Sequence, residues 1–157
     1  MSTHSPEFGE ITVDPAWKVA IVRAAWHGDL TSALALSCTQ KLIELGIQRK
    51  NIQEIVVPGS FEIPLFCKEA LKLGVDGVIA FGVVVQGDTH HARLIAEESA
   101  SGCMQAQMEF CKPVIFEVLF VDEKKHAQER SIGKDGKGPL SAQTLLSCLA
   151  MQAHLHS

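Results

Sequence analysis

What this chain lacks narrows its function first. Its 157 residues contain no run of Lys and Arg and carry a formal net charge of −4, so neither nucleic acid nor an anionic membrane is an expected partner. No apolar stretch approaches the roughly 18 residues needed to span a bilayer. Residues 1–14 hold no Lys or Arg and no apolar centre, which argues against a signal or transit peptide and makes the cytoplasm the expected location. The five cysteines, Cys38, Cys67, Cys103, Cys111 and Cys148, show no C-x-x-C spacing, so neither a zinc site nor a disulfide framework is expected. All but Cys111 fall in helical patterns among apolar neighbours, where a thiol acts as a small hydrophobe. Internal repeats, low-complexity tracts and linkers are absent as well.

What remains is 46% apolar and 20% charged, the composition of an ordinary soluble globular protein. The length suits one domain over 1–157 with a real hydrophobic core, residues 1–14 forming a flexible arm. A β-branched run predicts a strand at 18–23. Leu34, Cys38, Leu42 and Leu45 make a helical stripe over 31–45 that ends at Gly46. Strand 54–57 closes at Pro58-Gly59, and helix 61–73 ends at Gly74. Residues 77–85 are apolar throughout, as a central strand covered on both faces requires. A helix opening at Ala92 puts Ala92, Ile95, Ala96, Ser99, Ala100, Cys103, Met104, Gln107 and Met108 on one face. Most of these are small, which predicts close packing on the sheet or on a neighbour. Strand 113–121, a short helix at 123–131, a Gly- and Pro-containing loop or kink at 132–139, and a helix at 141–153 complete the chain.

Strand and helix alternate, which predicts an α/β fold with a mainly parallel four-stranded sheet between helical layers and right-handed crossovers. Ligands of such sheets bind outside the carboxyl ends of the strands. Trp26, residues 59–62, residues 85–91 and Phe116 with its successors are expected near those ends, and Gly87-Asp88-Thr89-His90-His91 sits at one of them, between a strand and a helix. Backbone N–H groups there lack partners within the helix and can hold an anion. Two histidines add groups that titrate near neutrality. Adjacent helical residues point about 100° apart, so only one of them can face a given reaction centre. A two-histidine metal site is the sharper rival, but Asp88 stands only two residues from His90 and no other ligand has useful spacing. Trp26, after the first strand, can stack on a flat heterocycle or serve as a core or interface residue. In Gly59-Ser60-Phe61-Glu62 the free N–H groups can recognise a carbonyl, while Glu62 can equally act only on the helix dipole. Arg130 offers a planar fork suited to phosphate and Lys137 a mobile point charge; two solvated surface cations are the plainer reading.

In order, spacing and position, these segments resemble those of the lumazine synthase family: Ala24-Ala25-Trp26-His27, Val57-Pro58-Gly59-Ser60-Phe61-Glu62-Ile63-Pro64, Gly87-Asp88-Thr89-His90-His91, Pro113-Val114-Ile115-Phe116, Glu129-Arg130 and Lys137-Gly138. The similarity runs from about Lys18 to Ala150. It implies a flavodoxin-like αβα sandwich whose N-terminal strand can add to a neighbouring subunit. It also implies condensation of 5-amino-6-(D-ribitylamino)uracil with 3,4-dihydroxy-2-butanone 4-phosphate to 6,7-dimethyl-8-ribityllumazine, phosphate and water, a step of riboflavin biosynthesis. By the motif Gly-x-Thr-x-His, the proton shuttle is His91, with His90 at the variable position. Trp26, Ser60, Phe61, Glu62, Val84, Val85, Phe116 and Lys137 would hold the pyrimidinedione and ribityl chain. Gly87, Asp88, Thr89 and Arg130 would hold phosphate, the arginine reaching an adjacent subunit's site. Neither metal nor organic cofactor is implied, and the partners are the two substrates and further copies of the chain, as a pentamer, decamer or 60-mer.

The chain departs from the family pattern at several positions. Ala25 stands where arginine is frequent, Gln86 where a basic residue is common, and Ala92 in place of an aromatic. Asp88 adds a negative charge to the phosphate turn, while Glu117 and Phe120-Val121 replace a usual glycine and threonine pair. The segment between Arg130 and Lys137 is about one residue short. An archaeal-type riboflavin synthase is the nearest enzymatic alternative, and a non-catalytic lumazine- or flavin-binding or shell protein the alternative from another class. A generic flavodoxin-like phosphate module explains the fold but not Trp26, Glu62 and Arg130 together.

Overall fold

The structure, a computed structural model, describes residues 6–132 and 136–157. Strands β1 (Val19–Ala24), β2 (Ile52–Val57), β3 (Gly77–Val85) and β4 (Val114–Val121) form one parallel sheet in the order β2-β1-β3-β4. Helices α1 (Gly28–Glu44), α4 (Lys124–Ser131) and α5 (Lys137–Leu155) cover one face; α2 (Ile63–Lys72) and α3 (His91–Phe110) cover the other. The three-layer α/β/α sandwich expected from the alternation is the one observed.

Side-chain parity along each strand separates the two cores. Val19, Ile21, Ile79, Phe81, Leu119 and Val121 point toward α1, α4 and α5, where Phe81 is fully buried. Ala20, Val22, Ala24, Val78, Ala80 and Val118 point toward α2 and α3. That second face is built from smaller residues and receives Ala92, Ser99, Cys103 and Ala106 of α3. Close packing on the sheet, expected from the small stripe, is thus observed, although Met104 and Met108 turn outward and are exposed. The helix face lies over Ala106 rather than its methionine neighbours. Between α2 and α3 the approach is also tight: a Cβ on Gly102 would come within 2.6 Å of Pro64.

Two helix starts differ most from the sequence expectation. Helix α1 begins at Gly28, because His27 adopts a left-handed conformation that turns the chain out of β1. Helix α5 begins at Lys137, so residues 137–139 belong to a helix and not to a loop. Pro139 is tolerated in the first turn, where its missing N–H has no helical partner to lose. Gly138 is there for contact: a Cβ would lie 2.6 Å from the Leu34 carbonyl oxygen and 2.1 Å from Ser37 Oγ of α1. The rest of that expected loop, 133–135, lies outside the described residues, as do residues 1–5 of the expected arm. Ile11, Val13 and Trp17 lie half-buried against the core under α1 and α5. Among the described residues, the N-terminal segment forms no strand in this chain.

All five thiols are free; Cys38, Cys67 and Cys103 are buried. Burial pushes the Cys38 thiol up, and contact with Cys103 together with burial does the same to Cys67. Neither favours the reactive thiolate at neutral pH. No helix among the described residues is long and apolar enough to cross a membrane.

Candidate active site

A cleft of about 770 Å³ opens at the carboxyl ends of β2, β1 and β3. Strand order reverses between β1 and β3, with β2 added on one side of β1 and β3 on the other, so the cleft occupies the switch point where open α/β sheets bind ligands. Each strand end delivers one wall.

After β1, the Ala25 N–H donates to the Val57 carbonyl at 2.7 Å and the Trp26 N–H to the Pro58 carbonyl at 3.2 Å. These bonds prolong the ladder while the left-handed His27 ends it. The buried Thr31 hydroxyl donates to the Ala24 carbonyl at 2.7 Å and locks the turn. Trp26 is therefore held by its backbone while its side chain stays 72% exposed at the cleft. Its indole lies against Gly59, where an added Cβ would stand 3.4 Å from Trp26 Cδ1.

After β2, Ser60–Glu62 forms a short 3-10 turn ahead of α2. The Gly59 N–H donates to Glu62 Oε2 at 3.0 Å, and the Glu62 N–H donates to the Gly59 carbonyl at 3.2 Å. Glu62 thus serves the turn, as its plainer reading held, and also lines the cleft. A carboxylate accepts up to about four hydrogen bonds, so the turn leaves acceptor capacity for a ligand's hydroxyls. Ser60 is buried, its hydroxyl packed over Gly82, where a Cβ would come within 2.4 Å of it. Phe61 forms an exposed rim.

After β3, the Gln86 N–H closes the ladder on the Val121 carbonyl at 2.8 Å. Gly87, Asp88 and Thr89 make the exposed turn into α3, and the His91 N–H donates to Thr89 Oγ1 at 3.3 Å. His91 lines the cleft with Val83, Val84, Val85, Ala92, Leu94 and Ile95, and His90 does not. The angular separation of adjacent helical residues selects one histidine, the one the motif picks out. Leu94 and Ile95 were not expected at the site from the sequence, which placed Ile95 only on the packing face of the helix, yet they stand three and four residues beyond His91, the spacing that shares a helix face. Among the described residues no cluster of His, Cys, Asp and Glu has the makings of a metal site.

Six other candidates, Phe116, Gly87, Asp88, Thr89, Arg130 and Lys137, lie outside the cleft lining. Phe116 pairs with Ala80, early in β4, and packs on the α2–α3 core away from the cleft. Its expected position near the carboxyl end of the strand is corrected: β4 runs five residues past it. Gly87 and its turn are outside the cleft wall. Arg130, in the last turn of α4, and Lys137, the first residue of α5, lie near Glu117 of β4. Burial pushes the Glu117 carboxyl up, against the opposing pull of Lys137, a hydrogen bond with Ser141, and Arg130. This cationic group belongs to the α4–α5 side of the sheet, opposite α3.

A profile of the family described as 6,7-dimethyl-8-ribityllumazine synthase matches residues 16–154. A protein of that name from Cytophaga hutchinsonii is 40% identical over 144 residues, covering 90% of this chain and 91% of its own. One from Levilactobacillus brevis is 39% identical over 140 residues, covering 88% and 89%. One from Coxiella burnetii is 32% identical over 144 residues, covering 90% and 95%. With a cleft walled by Trp26, Glu62 and His91 and a family match over nearly its whole length, the chain belongs to the 6,7-dimethyl-8-ribityllumazine synthase family.

Proposed function

We propose that this protein joins 5-amino-6-(D-ribitylamino)uracil to 3,4-dihydroxy-2-butanone 4-phosphate, making 6,7-dimethyl-8-ribityllumazine for riboflavin biosynthesis. The observation that carries this reading is the convergence of Trp26, Glu62 and His91, from three adjacent strand ends, on one cleft. Trp26 stacks on the pyrimidinedione, and the Ser60–Glu62 turn with Val84 and Val85 fixes its edge. Glu62 accepts hydrogen bonds from the ribityl hydroxyls. The substrate amine attacks the ketone, and loss of water leaves an imine. Phosphate then departs as the carbon skeleton tautomerises, and ring closure by the second amine releases another water. Each stage moves protons between nitrogen, carbon and oxygen, work suited to the imidazole of His91. Holding both substrates in register supplies a large part of the rate.

Phosphate recognition falls to Gly87, Asp88 and Thr89 through their backbone, and to Arg130 and Lys137. Because Arg130, Lys137 and Phe116 lie off the cleft of their own chain, we assign their action to the cleft of an adjacent copy in a cytoplasmic homopentamer or a multiple of it. The exposed apolar side chains of Trp26, Phe61 and Leu94 at the cleft favour such burial. Turnover of the two purified substrates, followed as lumazine absorbance and phosphate release, tests the reading. Product in step with phosphate supports it. No product from folded protein that still binds the lumazine would leave a non-catalytic binding protein in its place.

A further inference from the structure

Thr31 does not line the cleft, yet it holds the segment that carries Trp26 at both ends. Strand β1 pairs with β2 as far as Ala24–Val57, while its pairing with β3 stops one residue earlier, at Arg23–Phe81. The Ala24 carbonyl therefore lies past the last β1–β3 pair, and the Thr31 hydroxyl, fully buried in the first turn of α1, donates to it at 2.7 Å. Further along, the His27 carbonyl accepts the Thr31 N–H at 3.0 Å and the Leu30 N–H at 2.9 Å. One residue thus clasps the stretch 24–27 from its first carbonyl to its last.

This is not the local habit of a helical threonine. Such a hydroxyl ordinarily returns to the carbonyl four residues back, here that of His27, whereas the Thr31 hydroxyl reaches seven residues back. It closes a turn that needs closing. His27 sits in the left-handed region at φ 54°, which a residue with a Cβ adopts at a cost and keeps only where its surroundings hold it. Trp26 gains little orientation from packing, since its side chain is exposed and its indole lies beside Gly59. The direction of the indole is therefore set by the backbone between the two clasped carbonyls.

We propose that Thr31 is a positioning residue for the condensation: its hydroxyl fixes the turn 24–27 and, through it, the angle at which Trp26 meets the pyrimidinedione. The inference rests on the reading of Trp26 as the residue that stacks on that ring. A stack depends on the offset and tilt of its two rings, so a turn free to shift weakens binding of the flat substrate. Proton transfer at His91 is untouched, because that residue is carried by α3 after a different strand. The butanone phosphate has no ring to stack and is unaffected as well.

The test is steady-state turnover by the full chain for wild type, Thr31→Val, Thr31→Ala, Thr31→Ser, and Trp26→Ala with and without Thr31→Val. Thr31→Val keeps the side chain's shape and removes its hydroxyl. It should raise the KM for the ribitylaminouracil roughly two- to fivefold, part of what loss of the stack itself costs, while kcat and the KM for the butanone phosphate hold. Thr31→Ala makes the same comparison if Thr31→Val does not fold. Thr31→Ser restores the hydroxyl and should return the KM to that of wild type. In the Trp26→Ala background Thr31→Val should add no further rise, as expected of two residues acting through one contact. A threonine that only stabilises the fold would lower the folded fraction, and with it kcat, at unchanged KM. That result, or a KM rise as large without Trp26 as with it, overturns the positioning role alone. A KM that Trp26→Ala itself leaves unchanged removes the stacking assignment and the role of Thr31 with it.

Discussion

The Ser99 hydroxyl of α3 donates to the Ser60 carbonyl at 2.9 Å, tying the helix that carries His91 to the turn that carries Glu62. Ser99 is fully buried and its oxygen lies 2.6 Å from the Ile95 carbonyl as well. Two walls of the cleft are thereby fixed relative to each other by one side chain. Ser99→Ala leaves the Ser60 carbonyl without that donor. We expect a loss of about 1–2 kcal/mol, the scale of a buried hydrogen bond removed, read by urea unfolding. The KM for the pyrimidinedione substrate should rise more than kcat falls, since the turn orients that substrate.

Trp26 is held by its backbone and exposed by its side chain, so truncating it should spare stability and cost affinity. Trp26→Ala is predicted to raise the KM for the ribitylaminouracil by roughly three- to tenfold, from the loss of about 0.5–1.5 kcal/mol of stacking beyond area. Lumazine binding should quench indole fluorescence in wild type and leave the remaining Trp17 emission of Trp26→Ala little changed. Equal quenching in both would remove Trp26 from the site.

Glu117 makes stability depend on pH in a defined direction. Its folded carboxyl is pushed above the ordinary glutamate value, so between the unfolded value of about 4.3 and its own higher value the folded state binds more protons than the unfolded one. Stability from this group falls as pH rises through that window. Glu117→Gln, which cannot ionise, should therefore gain on wild type as pH rises from 4 toward 7. Melting temperatures across that range check it, and a gap that narrows with rising pH would contradict it.

Gly138 is required by contact rather than by conformation. A Cβ there would meet α1 backbone at 2.6 Å, so Gly138→Ala should force α5 away from α1 and cost about 1–3 kcal/mol, as overpacking does. Since Lys137 precedes it, phosphate affinity should weaken alongside the thermal midpoint.

The central strand 77–85 was legible because it is apolar throughout, as a strand covered on both faces must be; which core each of its residues faces was not, since Val78 to Phe81 show no polar alternation. Helical geometry showed that only one of His90 and His91 can face the cleft, and the motif singled out His91. Gly138 was not: a glycine beside a proline reads as a loop until the neighbouring helix is seen lying against it. Phe116 was placed near the strand end although the expected strand 113–121, close to the observed Val114–Val121, already ran five residues past it. Leu94 and Ile95 were within reach, by carrying the helical period forward from His91. The grouping of Glu117 with Arg130 and Lys137 needed the crossing of β4 with α4 and α5, which no local pattern encodes.

The central claim, that the Trp26–Glu62–His91 cleft joins the two substrates with His91 moving protons, is tested most directly by single-turnover formation of the lumazine in wild type and His91→Ala. We predict that the substitution slows the chemical step roughly 10²- to 10⁴-fold while the affinity for the ribitylaminouracil changes little. A rate equal to that of wild type at every pH would contradict the assignment and leave the alignment of the two substrates as the only source of catalysis in this cleft.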